Sequence, residues 1–273
     1  MTVSRDSEPL LAADEPAPFE VLNAEVGLPL LLLCDHASKR LPRALGDLGL
    51  DAAARNGHLA VDIGAGDLVR RLAAMTGATA VLAGYSRLAV DPNRKLSSAD
   101  AFLAFSDGIA IAGNRDLSQA ERQARADALY WPYHRAVDEQ VRRLATRARK
   151  PVILSIHSFS PVFNQRPREW EFGVLWKADQ HTAGILLRGL RAAGFQVGDN
   201  QPYSAHLPLN HTLEHHAESA GLPHAIIEVR QDLLADDAGI ARIAAVLQPI
   251  VARLRAEITK RGKDGVSAQA LGG

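Results

Sequence analysis

Three features of this 273-residue sequence predict an α/β protein, three-layer α/β/α with a mostly parallel central sheet. Short apolar runs recur along the chain: Leu30-Leu31-Leu32-Leu33-Cys34, Ala78 to Ala83, Val152 to Ile156 and Ala225 to Val229. None alternates polar with apolar as a half-wet sheet does, so each reads as a strand covered on both faces. Segments with apolar residues at helical spacing lie between them, which is the pattern of crossover connections. Three of the runs end in residues that carry chemistry, namely His36, His157 and Glu228. Open α/β sheets bind ligands at the carboxyl ends of their strands, so one rim is expected to gather these side chains.

In chain order, residues 1–18 are polar with Ala and Pro and read as a loosely ordered arm, and Phe19 to Val26 reads as an edge strand. Leu30 to Cys34 is the first core strand, and Asp35, His36 and Ser38 follow it. Asp51 to Gly77 has helical spacing through Leu59, Ile63, Leu68, Leu72 and Met75, with Asp62 inside it and Gly77 as its stop. Its glycines do not form G-x-G-x-x-G after a strand, so a dinucleotide site is not indicated. After the strand 78–83, Pro92 places Arg87, Asp91, Asn93 and Arg94 on or beside a loop. Ser118 with Glu121 reads as a capping box, and Pro132 is expected to kink or divide the helix that carries Tyr133, His134 and Asp138. Strands are read at 152–157, 172–176, 195–197 and 225–229. Helices are read from Asp179 to Ala193, over 211–219 and from Ile240 to Ile258. A single domain is expected over 19–262, with residues 263–273 as a second loose terminus.

Composition narrows the function. Lys plus Arg and Asp plus Glu are 31 each, so the zero net charge gives no reason to expect nucleic acid or a membrane surface as partner. No run approaches the roughly 18 to 20 apolar residues of a membrane span. The N-terminus carries Asp6, Glu8, Asp14 and Glu15 rather than a basic and then apolar leader, and a cytoplasmic location is expected. The single cysteine, Cys34, excludes an internal disulfide and is read as buried. It also excludes a cysteine-rich zinc module, so any metal must be held by His and carboxylates.

A catalytic zinc site usually takes three such ligands and leaves a fourth position for water. His36 and His157, from separate strands, offer two, and Asp62 offers a third. Glu228 would then carry protons between water and a leaving amine. Ser158 reads as a hydrogen-bonding group at the site, since no G-x-S-x-G elbow surrounds it. The stretch His211-Thr212-Leu213-Glu214-His215 matches the H-x-x-E-H pattern of inverted zinc peptidases. Three readings of it stay open: a polar helix, a metal site of its own, or His211 and His215 touching substrate beside the metal.

In order along the chain, Asp35-His36-Ala37-Ser38 with Leu41-Pro42, then Asp62, Ser86-Arg87-Leu88-Ala89-Val90-Asp91-Pro92-Asn93-Arg94, Tyr133-His134, Ile156-His157-Ser158 and Ile227-Glu228 resemble the landmarks of the N-formylglutamate amidohydrolases. The resemblance covers about residues 30–235. It implies a zinc-carboxypeptidase-like fold and hydrolysis of the amide of an N-acylated amino acid such as N-formylglutamate. It also implies Zn2+ or another divalent metal on His36, Asp62 and His157, with Glu228 as acid/base. Arg87 and Arg94 would bind carboxylates or stabilise the oxyanion, with Asn93 beside them on the substrate, because a guanidinium fork matches a carboxylate. The first landmark differs from the family's Pro-His-Ser-Gly. Two other functions remain: a non-catalytic relative binding a small acid, or a zinc peptidase using His211, Glu214 and His215.

Overall fold

The computed structural model describes residues 9–270 apart from 107, 148–149, 164 and 207–209. Its first half comprises β1 (Phe19–Leu22), β2 (Leu30–Cys34), α1 (Ala52–Asn56), α2 (Ala65–Thr76), β3 (Thr79–Ala83), a small hairpin of β4 (Phe105–Ser106) and β5 (Ile109–Ala110), α3 (Gln119–Arg125) and α4 (Trp131–Arg147). The second half comprises β6 (Val152–Phe159), a hairpin of β7 (Val162–Phe163) and β8 (Arg166–Pro167), β9 (Phe172–Leu175), α5 (Gln180–Ala192), β10 (Val197–Asp199), α6 (His211–Leu213), β11 (His224–Arg230) and α7 (Asp237–Ala270).

Among the described residues, seven strands form one sheet in the order β1-β3-β2-β6-β11-β9-β10. β3, β2, β6 and β11 run parallel, as do β9 and β10, while β1 on β3 and β9 on β11 are antiparallel. The apolar runs are covered on both faces, as their composition requires. In β2, Leu30, Leu32 and Cys34 pack among the core residues of α2, α5 and α7, whereas Leu31 and Leu33 pack among those of α4. That gives the three-layer α/β/α arrangement. The same alternation puts His157 on the face of Ile153 and Glu228 on the face of Ile226, both toward the α4 layer. Parallel pairing then sets Glu228 directly beside His157.

Several elements differ from the sequence reading. The expected helix over 51–77 is two helices: Asp51 caps α1, and α2 starts only at Ala65, so Asp62 lies on the loop between them. Gly64 makes the break, since its φ of 75° is left-handed and a Cβ there would strike Leu234. At Pro132 the expected division is present: α3 ends at Arg125, a π-helical turn spans Ala126–Tyr130, and α4, which carries Tyr133, His134 and Asp138, starts at Trp131 with Pro132 in its first turn, where a missing N–H is tolerated. The strand expected at 195–197 is shifted to Val197–Asp199. The closing helix runs on to Ala270, so the expected loose terminus is helical over 263–270, while 271–273, like 1–8 of the expected arm, lie outside the described residues. Residues 9–18, expected in a loose arm, are held: Leu10 and Leu11 pack on a cluster around Tyr85 and Phe102, and the Tyr85 hydroxyl donates to the Pro16 carbonyl at 2.9 Å. The hairpins β4–β5 and β7–β8 are too short to leave a pattern in the sequence. Among the described residues no helix is long and apolar enough to cross a membrane.

Candidate active site

The carboxyl ends of β2 and β6 meet the loop before α2 at a single carboxylate oxygen. His36 follows β2 by two residues, and its Nδ1 lies 3.4 Å from Asp62 Oδ2. His157, inside β6, brings its own Nδ1 to 2.9 Å from the same oxygen. The two rings meet edge to face with centroids 5.1 Å apart. Asp62 is fixed by its own N–H, which donates to the His36 carbonyl at 3.1 Å, and by the Ser158 N–H, which donates to Oδ2 at 3.3 Å. Arg87 forms an ion pair with the other Asp62 oxygen.

The outer nitrogens are held as well. His36 Nε2 lies 2.9 Å from Asp91 Oδ1. His157 Nε2 lies 2.9 Å from Ser155 Oγ and 3.2 Å from Asp35 Oδ2. Asp35 in turn accepts from the Tyr133 hydroxyl at 2.7 Å and the Thr212 hydroxyl at 2.8 Å. Burial alone would raise the Asp35 and Asp91 carboxyls. The hydrogen bonds and charges of His157 and His36 outweigh it and hold both below the usual carboxylate range. Burial, aided by the Arg87 cation, brings His36 down to about 4, so its ring is neutral at neutral pH.

A neutral imidazole has one N–H. With Nε2–H given to Asp91, His36 turns its Nδ1 lone pair toward Asp62 Oδ2, and a lone pair facing a carboxylate oxygen is repelled unless a proton or cation lies between them. The donor atoms of His36, Asp62 and His157 all lie within 4.8 Å of one another. Two imidazoles and a carboxylate, with carboxylates behind the imidazoles, make a donor set that fits a divalent metal of the zinc type.

A cleft of about 160 Å³ opens over this cluster. Glu228 lies in its wall, 7% exposed, and its Oε2 is buried with no hydrogen-bond partner. Desolvation raises the Glu228 carboxyl above the usual range, against the opposing fields of His157 and Arg87. Arg87, Asn93, Arg94 and Ser158 line the same cleft. Ser158 donates from Oγ to the Ile63 carbonyl at 2.8 Å, and Asn93 accepts from the Thr212 N–H at 3.1 Å. Arg94 Nε donates to Asp100 at 2.8 Å and its Nη1 to the Asn93 carbonyl at 3.0 Å. His58, Leu175, Tyr203, Ser204 and Asn210 also line the cleft and carry no signal in the sequence: His58 and Asn210 are lone polar residues in loops.

His211 and His215 are not among the residues of that wall. His211 stacks on Tyr130 with centroids 6.3 Å apart, and its ring lies 5.6 Å from that of His215. Glu214 turns toward Lys95 Nζ at 3.9 Å. The segment is not one regular α-helix: α6 ends at Leu213, and Glu214–Glu218 is a π-helical turn. Among the described residues the ligand atoms of His211, Glu214 and His215 do not form a group within 4.8 Å of one another.

A polar cleft at the carboxyl rim of a mostly parallel sheet, with buried carboxylates and imidazoles at its floor, is where an α/β enzyme receives a small molecule. A profile of the N-formylglutamate amidohydrolase family matches residues 28–235. The crystal structure of a gene product from Agrobacterium tumefaciens superimposes with a TM-score of 0.88 at 38% identity, over 91% of this chain and 99% of that one. The N-formylglutamate amidohydrolase of Ralstonia eutropha superimposes with a TM-score of 0.70 at 23% identity, over 90% of this chain and 100% of that one, a likeness of fold. No curated protein matches the chain. The chain belongs to the N-formylglutamate amidohydrolase family.

Proposed function

We propose that the protein hydrolyses the amide bond of an N-acylated amino acid, of which N-formylglutamate is the model, with a divalent metal held by His36, Asp62 and His157. The observation that carries this reading is the convergence of both Nδ1 atoms on Asp62 Oδ2 while both Nε2 atoms are anchored from behind. Bound there, zinc supplies the Lewis acidity that makes water a nucleophile near neutral pH and polarises an acyl oxygen.

The chain's own residues do the rest. Glu228 takes a proton from the attacking water as the oxygen adds to the acyl carbon, then gives it to the nitrogen as the C–N bond breaks. Its dry position suits both steps, because a raised carboxyl pKa lies nearer the pH at which one group both accepts and donates. Arg94 on the rim receives the substrate carboxylate in its guanidinium fork, with Asn93 and Ser158 as neighbours in the wall. Arg87 is engaged with Asp62, so it positions that carboxylate and places positive charge where the oxyanion develops.

A hydrolysis screen of N-formyl, N-acetyl and N-succinyl amino acids on zinc-loaded protein tests the reading. Turnover is expected with an acidic N-acyl amino acid, and both turnover and cleft zinc are expected to disappear in His36→Ala and His157→Ala. Undiminished hydrolysis in either variant would contradict the assignment.

A further inference from the structure

The histidines of residues 211–216 that leave the cleft build a second cluster with α4. His134 and Asp138 lie one turn apart on one face of α4, and His215 and His216 belong to the π-helical turn Glu214–Glu218. The contacts form a row. His134 Nε2 lies 3.0 Å from the Pro92 carbonyl oxygen, His134 Nδ1 lies 2.8 Å from His216 Nε2, and His216 Nδ1 lies 2.8 Å from Asp138 Oδ1.

Counting protons along the row exposes a deficit. The row has three contacts and ends in an acceptor on each side, a carbonyl and a carboxylate. Two neutral imidazoles bring only two N–H groups, so one contact must hold an extra proton or a metal cation. A cation at the Asp138 end closes the count. His216 Nε2–H then donates to His134 Nδ1, and His134 Nε2–H donates to Pro92, with His216 Nδ1 left as a ligand lone pair. That end is also where a third donor stands: ligand atoms of Asp138, His215 and His216 lie within 4.8 Å of one another. The ring of His215 meets that of His216 at 4.6 Å and 81°. The His216 side chain is fully buried, while the Asp138 side chain is 47% exposed and His215 is exposed, so an ion has an entry path from solvent.

We propose that Asp138, His215 and His216 form a second metal site, separate from the cleft and selective for a divalent transition metal of the zinc type. Two imidazoles and a carboxylate suit zinc, nickel or cobalt over magnesium or calcium, and they leave a coordination position for water. His134 plays the outer role for His216 that Asp91 plays for His36 in the cleft. An ion there ties α4 to the turn that precedes β11, so its effect is on stability and the register of those two elements. π-helical turns of this kind are frequent at functional sites.

Calorimetric titration with Zn2+ decides the matter independently of the cleft. His157→Ala breaks the cleft cluster, and His36→Ala serves where that variant does not fold. One zinc equivalent is expected to remain in either, together with a rise in melting temperature on zinc addition. Both effects are expected to vanish when His215→Ala, a change at an exposed position, or Asp138→Asn is added. If the cleft binds no metal, wild-type protein should still take up one equivalent that His215→Ala abolishes. Absence of zinc binding in the cleft variants would overturn the proposal and assign the row a shared proton; so would uptake indifferent to both His215→Ala and Asp138→Asn.

Discussion

Glu228 sits at a strand position where one neighbour, His157, favours its charged form and the apolar surroundings favour its neutral one. Burial prevails, so replacing it isosterically separates its possible roles. In Glu228→Gln the fold and the zinc should be retained while turnover falls on the order of a hundredfold or more, as for the loss of a general acid/base. Zinc loss would make it a ligand, and near-normal turnover would make it structural. At Arg94, replacement by Lys keeps the charge and removes the fork. Apparent affinity for an acidic substrate should drop about tenfold with little change in folding stability, and an unchanged KM would count against the contact. Asp35 gives the pH prediction. Its carboxyl is held below the ordinary value of 3.8, so its ionised form stabilises the fold. That contribution is complete above the unfolded value and is lost as pH falls through it toward the depressed folded one. Acid unfolding followed by circular dichroism should therefore show a weaker dependence on pH below about 4 in Asp35→Asn than in the wild type. Equal slopes would place the acid sensitivity elsewhere.

The proposed catalytic geometry is a property of paired elements. β6 and β11 run parallel with His157 opposite Glu228, and β9 closes the other side of β11 with Gly173 opposite Glu228. A Cβ at Gly173 would run into the Gln201 carbonyl oxygen and approach the Glu228 side chain at 3.3 Å. Gly173→Ala is accordingly expected to cost about 1–3 kcal/mol of stability, the usual range for overpacking. A denaturation midpoint equal to that of the wild type would refute the crowding. The strands themselves were legible in the sequence because β2, β6 and β11 are unbroken apolar runs with chemistry at their ends. The helices were less so. Apolar spacing carried on across 51–77, and nothing in it shows that Gly64 takes a left-handed φ against Leu234, a contact 170 residues away in the chain. At Pro132 the sequence did point to a break, but not to the π-helical turn over Ala126–Tyr130 that makes it.

Over the whole molecule, the sheet brings residues from positions 36, 62, 157 and 228 to one cleft, and three of the four were readable as strand ends. Their supporting carboxylates were not. Asp35 and Asp91 stand in the landmark segments, yet only the fold shows that they grip the outer nitrogens of His157 and His36. Tyr203, Ser204 and Asn210 come from loops, where no periodicity marks a side chain as facing inward. The histidines of 211–216 left three readings open, because their spacing carries no sign of the π-helical turn that holds His215 and His216. Central to the proposed function is a metal held in the cleft, and the most direct measurement is the hydrolysis rate of the best N-acyl amino acid as metal is chelated away and zinc is then restored. The account predicts that the rate falls to background with the metal and returns with zinc in wild-type protein, and that it does not return in His157→Ala. A wild-type rate from protein shown to be metal-free would contradict it.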